Sequence, residues 1–234
     1  MNGVGDIHVR HMPGLRRQSS MADFDRARRH MVDNQLRTSH VTDRRLLARM
    51  GALPRELFVA EERRAVAYAD DVQPVGSRTM AAPAMFAKLA QLAAVTATDN
   101  VLDIGVGTGY STAVFAGLAA SVLGLEEDTA LADQANANLT ALGIGNARVV
   151  SQLETIGATP LYDVVFLNGA VEQVPQSFFA HLAEGGRLIA LIRQGIVAVA
   201  HVYVRSGGEI SSRAEFNANL PPLFSAPRKV EFVF

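Results

Sequence analysis

The chemistry of this chain is most visible in residues 101–110, Val-Leu-Asp-Ile-Gly-Val-Gly-Thr-Gly-Tyr. Glycines at 105, 107 and 109 remove every second Cβ from a turn that follows an apolar run, so main-chain N–H groups can come close to a bound molecule. The spacing is Gly-x-Gly-x-Gly. It departs from the dinucleotide pattern Gly-x-Gly-x-x-Gly because Tyr110 stands where that pattern needs Gly or Ala. Asp103 precedes the first glycine by two residues, and Glu126 follows the next apolar strand. Two carboxylates around bare amides suit a nucleoside carrying a positive sulfonium. Glu126 is placed to accept from both ribose hydroxyls, and Asp103 to orient the loop amides or to face the cation. Glu127 and Asp128 follow at once, so the same run also reads as a solvated acidic turn or a helix cap. Strand alternation selects Glu126 as the inward-facing residue. The bland use of the glycines is a left-handed turn that holds nothing.

Other chemistry-bearing residues form no second constellation. The six histidines lie at 7, 11, 30, 40, 181 and 201, without metal-ligand spacing. No paired carboxylates suggest a metal. Ser111 reads as the first turn of the helix after the loop, His40 as a surface turn, and Asn168-Gly169 as either a pocket wall or a tight turn at the end of the fourth strand.

The elements that must position these residues follow from periodicity. Asp23 caps a helix with Phe24, Ala27, Met31 and Val32 on one face, and Thr42 or Asp43 starts another carrying Leu46, Leu47 and Met50. Residues 54–83 are irregular, and a helix follows at Met85–Ala94. Strands are expected at 101–104, 121–125, 149–150, 163–167 and 187–192. Helices are expected around 109–119, from Asp128 or Thr129 to about 142, and near 175–182. Strands at 197–205 and roughly 228–234 are expected to flank the turn at Gly207-Gly208 as a C-terminal hairpin. Strand–helix alternation argues for an α/β, doubly wound sheet, with its ligand beyond the carboxyl ends of the strands at the switch point.

Length and composition agree. The 234 residues are 49% hydrophobic, enough for a core without metal or disulfide support. There is no cysteine, which excludes a disulfide framework and a thiol nucleophile. A net charge of -1 with no basic stripe beyond the first thirty residues argues against nucleic acid. No apolar run is long enough for a membrane span, so a cytoplasmic location is the default expectation. Residues 1–20 read as a disordered tail, and 21–234 as a single domain. Within it, 21–95 form a helical and loop cap and 96–234 the cofactor-binding core.

Several segments sharpen the reading. The glycine loop looks like the cofactor loop of S-adenosylmethionine-dependent methyltransferases. From Asp23 onward the chain resembles the protein-L-isoaspartate O-methyltransferase family. The likeness is carried by Pro54-Arg55-Glu56-Leu57-Phe58-Val59, Ala67-Tyr68-Ala69-Asp70, Thr79 to Pro83, Val101 to Tyr110, Tyr162-Asp163, Asn168-Gly169-Ala170, Val174-Pro175 and Gly185-Gly186-Arg187-Leu188. The glycine loop is shared by many methyltransferases, whereas the two upstream segments are particular to this family.

The resemblance implies a Rossmann-like methyltransferase fold, S-adenosylmethionine as donor, and methylation of isoaspartyl carboxylates in damaged proteins. It implies a cofactor site at Asp103, Gly105, Gly107, Gly109, Tyr110, Glu126, Glu127 and Leu153, and an acceptor wall at 77–83. Two departures stand out. The family's Thr-Ile-Ser-x-Pro is Thr79-Met80-Ala81-Ala82-Pro83 here, so the active-site hydroxyl is missing at Ala81, leaving Thr79 and Tyr68 as nearby hydroxyls. The family's Gly-Asp-Gly is Gln152-Leu153-Glu154, so the adenine-accepting Asp is replaced by Leu153. These changes keep two alternatives open: a methyltransferase with a small-molecule acceptor, and a non-catalytic cofactor-binding protein.

Overall fold

A computed structural model describes residues 23–152 and 161–224. A seven-stranded sheet organises them. Its strands are β3 (Asn100–Ile104), β4 (Ser121–Leu125), β5 (Ala147–Val150), β6 (Tyr162–Val171), β7 (Leu182–Gln194), β8 (Val197–Ser206) and β9 (Glu209–Ala218), in the order β5-β4-β3-β6-β7-β8-β9. The first five run parallel, and β8 and β9 add antiparallel to β7. A separate two-stranded hairpin, β1 (Gln73–Val75) and β2 (Arg78–Met80), stands in the N-terminal region.

Local chemistry explains the helices. Residues 23–31 form α1, which passes through a π-helical turn at Val32–Leu36 and a 3-10 turn at Arg37–Ser39 before left-handed His40 (φ 64°) ends it. Asp43 caps α2 (Arg44–Ala52), accepting from the amides of Arg45 and Leu46 at 2.8 and 3.3 Å. Pro83 opens α3 (Pro83–Leu92), where its missing N–H costs nothing. The glycine loop leads into α4 (Tyr110–Ala116), and Asp128 caps α5 (Thr129–Ala141) through the amides of Ala130 and Leu131. A short α6 (Gln176–Ala180) connects β6 to β7.

The parallel strands are apolar on both faces, and their alternate residues feed two cores. Val101, Val122, Val164 and Phe166 pack with α2–α5 and the N-terminal helices. Leu102, Leu123, Val165 and Leu188 pack with Val174, Phe178 and Leu223. On the first face Phe86, Phe115 and Phe166 meet edge to face or tilted with ring centroids 5.0–5.9 Å apart, joining α3, α4 and β6 beneath the glycine loop. The chain crosses from β5 to the far side of β3, so β3 and β6 flank the topological switch point.

Three expectations change. The partner of β8 is Glu209–Ala218, reached through Gly207-Gly208, while the strand expected at 228–234 lies outside the described residues. Asn168-Gly169 do not end the fourth strand; β6 continues to Val171 with an irregularity in its pairing between Phe166 and Ala170. The helix expected to reach 182 stops at Ala180, and β7 begins at Leu182 and runs through Gly185-Gly186. Periodicity misplaced the end of β6 and the start of β7 because strand ends are set by pairing with distant neighbours. Among the described residues, no helix is long and apolar enough to cross a membrane.

Candidate active site

The carboxyl end of β3 places Asp103 at the switch point, fully buried. Its Oδ2 accepts from Ser111 Oγ and Thr112 Oγ1, both at 2.7 Å from the first turn of α4, and its Oδ1 accepts from Asn168 Nδ2 at 2.6 Å. Burial pushes its pKa up from 3.8 to about 6, against those three hydrogen bonds, which favour the ionised form, while the nearby Glu126 charge adds to the rise. Asp103 is thus fixed by two elements and poised to titrate.

The loop above it turns through left-handed glycines, with φ of 71°, 54° and 90° at positions 105, 107 and 109. Gly105 N bonds Leu125 O at 2.8 Å, which ties the loop to the end of β4. Glu126 follows there, also fully buried. Its Oε2 accepts from Gly107 N at 2.8 Å and its Oε1 from Asp128 N at 3.2 Å. Arg78 of β2 completes the set: its Nε lies 2.9 and 3.2 Å from the two Glu126 oxygens, and its Nη1 donates to Leu223 O. Glu127 points outward, two-thirds exposed, with Oε2 4.0 Å from Arg78 Nη2.

The upstream segments fasten the opposite wall. Arg55 is fully buried; its Nε donates to Ala67 O at 2.8 Å and its Nη2 to Ala81 O at 2.6 Å, and its guanidinium lies 4.6 Å from the Tyr110 ring centroid. Asp70 Oδ1 accepts from Ala84 N at 3.0 Å and holds the start of α3. The strand and turn carrying Thr79 and Ala81 are therefore held from behind by one cation and one carboxylate. Tyr68 donates to Glu56 and accepts from Arg28 Nε at 2.9 Å, and burial raises its pKa further. Its hydroxyl is committed to that network, and Tyr68, named from the sequence as a hydroxyl near the acceptor side, does not line the cavity at the glycine loop.

A cavity of about 20 Å³ remains at the loop, lined by Thr79, Ala81, Gly105, Gly107, Tyr110 and Asn168, among others. A second cleft of about 340 Å³ opens beside Leu125, Glu127, Pro175, Phe178 and Phe224. Asp103, the three glycines, Tyr110 and Glu126 converge, as the spacing requires. Leu153 lies outside the described residues. Sequence reasoning gave Arg78 no role of its own, although it lies within the expected acceptor wall at 77–83, and it missed Leu223, which no local signal marks. The donor set fits a sulfonium nucleoside: buried carboxylates for ribose hydroxyls and cation, a loop without Cβ atoms at three positions, and an apolar slot by Phe178 and Phe224 for a flat base. Among the described residues no cluster of His, Asp and Glu is suited to a metal.

Parallel strands around a switch point, with a glycine loop after the central strand and an acid after its neighbour, define a Rossmann-like methyltransferase fold. Two solved structures share it. A protein-L-isoaspartate O-methyltransferase superposes with a TM-score of 0.73 at 24% identity, over 83% of this chain and 65% of that one. A putative protein-L-isoaspartate O-methyltransferase from Plasmodium falciparum, solved in complex with S-adenosyl-L-homocysteine, gives 0.71 at 22% identity, over 83% and 96%. Among curated proteins, the protein-L-isoaspartate O-methyltransferase of Koribacter versatilis is 33% identical over 203 residues, 86% of this chain and 90% of that protein. That of Methanoculleus marisnigri is 37% identical over 168 residues, 70% and 76%. Residues 26–225 match the family described as protein-L-isoaspartate(D-aspartate) O-methyltransferase, and the chain belongs to that family.

Proposed function

We propose that this protein transfers the methyl group of S-adenosylmethionine to a carboxylate oxygen of isoaspartyl residues in damaged proteins. The observation that carries this reading is the meeting of two buried carboxylates, Asp103 and Glu126, around a glycine loop that stands against the Thr79–Ala81 wall. Bound there, the donor supplies an electrophilic methyl on a positively charged sulfur.

The residues divide the work. Glu126 accepts from the ribose hydroxyls, and the amides of the 105–109 loop face the amino-acid end. Asp103 holds negative charge near the sulfonium, oriented by Ser111, Thr112 and Asn168. Leu125, Phe178 and Phe224 offer an apolar slot for the base. The acceptor carboxylate is already ionised at neutral pH, so no general base is needed. The protein mainly aligns oxygen, methyl and sulfur and keeps water out, and alignment alone is worth roughly 7–11 kcal/mol. Ala81 offers no hydroxyl to the acceptor. Thr79, in the same cavity wall, is the hydroxyl left to orient it. The proposal takes the cytoplasm as the setting, because a charged sulfonium nucleoside does not cross a lipid core unaided.

Incubation with methyl-labelled donor and an isoaspartyl peptide, beside its ordinary aspartyl twin, tests the reading. Base-labile label on the isoaspartyl peptide alone is expected. Donor binding with no label on that peptide overturns the assigned acceptor.

A further inference from the structure

The residues assigned to the donor are also linked to one another. Glu126 is bridged by Arg78 through both carboxylate oxygens. The strap at 220–223 lies along β6, with Ala170 N bonded to Pro221 O at 3.0 Å and Leu223 N to Ala170 O at 2.8 Å. Arg193 Nη2 donates to Leu220 O at 2.5 Å, and Arg78 Nη1 to Leu223 O. The Leu223 side chain fills the space above Gly105, where a Cβ would collide with its Cδ1, and its main chain lies 2.8 Å from a Cβ built on Gly169. The loop cavity of about 20 Å³ has room for about one water molecule. A nucleoside ligand needs a pocket of several hundred Å³.

We propose that Arg78 is a gate in the cofactor site: one guanidinium occupies the ribose-binding carboxylate and at the same time latches the 220–223 strap over the glycine loop. This rests on the cofactor reading above. The chemistry explains why an arginine serves. Its forked donors reach Glu126 from Nε and the Leu223 carbonyl from Nη1, two nitrogens held in one rigid plane, where an ammonium is a single point donor on a flexible stem. A buried carboxylate needs donors for its lone pairs, and Arg78 supplies them beside the Gly107 and Asp128 amides until ribose hydroxyls take its place. Glu127 receives the displaced cation: its carboxylate is exposed and stands 4.0 Å from Arg78 Nη2. Entry of the donor then exchanges one partner of Arg78 for another, and release of the Leu223 carbonyl lets the strap lift from β6. The hairpin bearing Arg78 is only two strands, outside the main sheet, and is tied to α5 by Ser77 Oγ donating to Asp128 Oδ2 at 2.8 Å.

The test measures association of S-adenosylhomocysteine with immobilised protein, alongside hydrogen exchange at the Leu223 amide. In the unaltered protein the association rate is expected to level off at high ligand concentration, where opening becomes limiting. Arg78→Met removes the plateau, speeds association by about tenfold or more by raising the open fraction, and accelerates Leu223 exchange. Arg78→Lys keeps the charge without the fork and moves both readouts the same way, so the test survives if the Met variant does not fold. Association and exchange unchanged in both variants, or slower association, would overturn the gate. If neither parent nor variant binds the ligand while Leu223 exchange still accelerates, the cofactor reading itself fails and the gate with it.

Discussion

Asn168 and Asp103 are 65 residues apart in sequence, and their side chains meet at 2.6 Å across the switch point between β6 and β3. Asn168 Nδ2 also lies 3.1 Å from Ile104 O, so one amide clamps both the carboxylate and the main chain at the start of the glycine loop. Asn168→Ala leaves Asp103 with one donor fewer to its ionised form. The expected result is roughly ten- to a hundredfold weaker binding of S-adenosylmethionine at neutral pH, the scale of the ~1.5–3 kcal/mol for a hydrogen bond to a charged group. Titration calorimetry checks it, and unchanged affinity removes Asn168 from the site.

The raised Asp103 pKa of about 6 gives two opposite pH dependences. Between 3.8 and about 6 the folded protein holds a proton that the unfolded chain has released, so folding stability from this group falls as pH rises through that window. Donor binding runs the other way, because a cation favours the ionised carboxylate. Affinity for S-adenosylmethionine should drop by up to about tenfold per pH unit below the Asp103 pKa and level off above it. S-adenosylhomocysteine, with a neutral sulfur, should show a shallower slope. Equal slopes for the two ligands would separate Asp103 from the sulfonium.

Glu126→Ala should weaken S-adenosylhomocysteine binding by about 1–3 kcal/mol, the scale of a charged acceptor lost. Calorimetry reads the change directly. Affinity equal to that of the parent would show that the ribose lies elsewhere.

Ala81→Ser restores a hydroxyl to a wall already held by Arg55. A hydroxyl that orients the acceptor is worth on the order of 10–1000-fold, so kcat/KM with an isoaspartyl peptide should rise by at least about tenfold. Cofactor affinity should stay as it was. A rate below the parent's would indicate an acceptor shaped to fit the alanine.

Gly109 begins α4 at φ 90°, and a Cβ there would stand 3.0 Å from Ala135 Cβ. Gly109→Ala should cost about 1–2 kcal/mol for the left-handed backbone. That corresponds to a melting temperature lower by roughly 2–8 °C in a chain of this size. A thermal melt matching the parent's would remove the strain argument.

What short stretches of chain could encode was legible before any coordinates. Asp43 and Asp128 cap helices through amides two and three residues away, and the glycines at 105, 107 and 109 turn a strand into a helix within ten residues. The apolar runs of β3, β4 and β6 mark strands buried on both faces, and Glu126 follows from alternation along one of them. These interactions span a few residues, so residue type and spacing suffice. The tertiary structure alone decided that Asn168 clamps Asp103, that Arg55 braces Ala81, that β8 pairs with Glu209–Ala218, and that Leu223 lies over Gly105 while Arg78 bridges it to Glu126. Those partners are separated by 26 to 145 residues, except in the hairpin. Each depends on how the sheet and its strap pack, and nothing in the residues beside Arg78 or Leu223 states which distant group will face it.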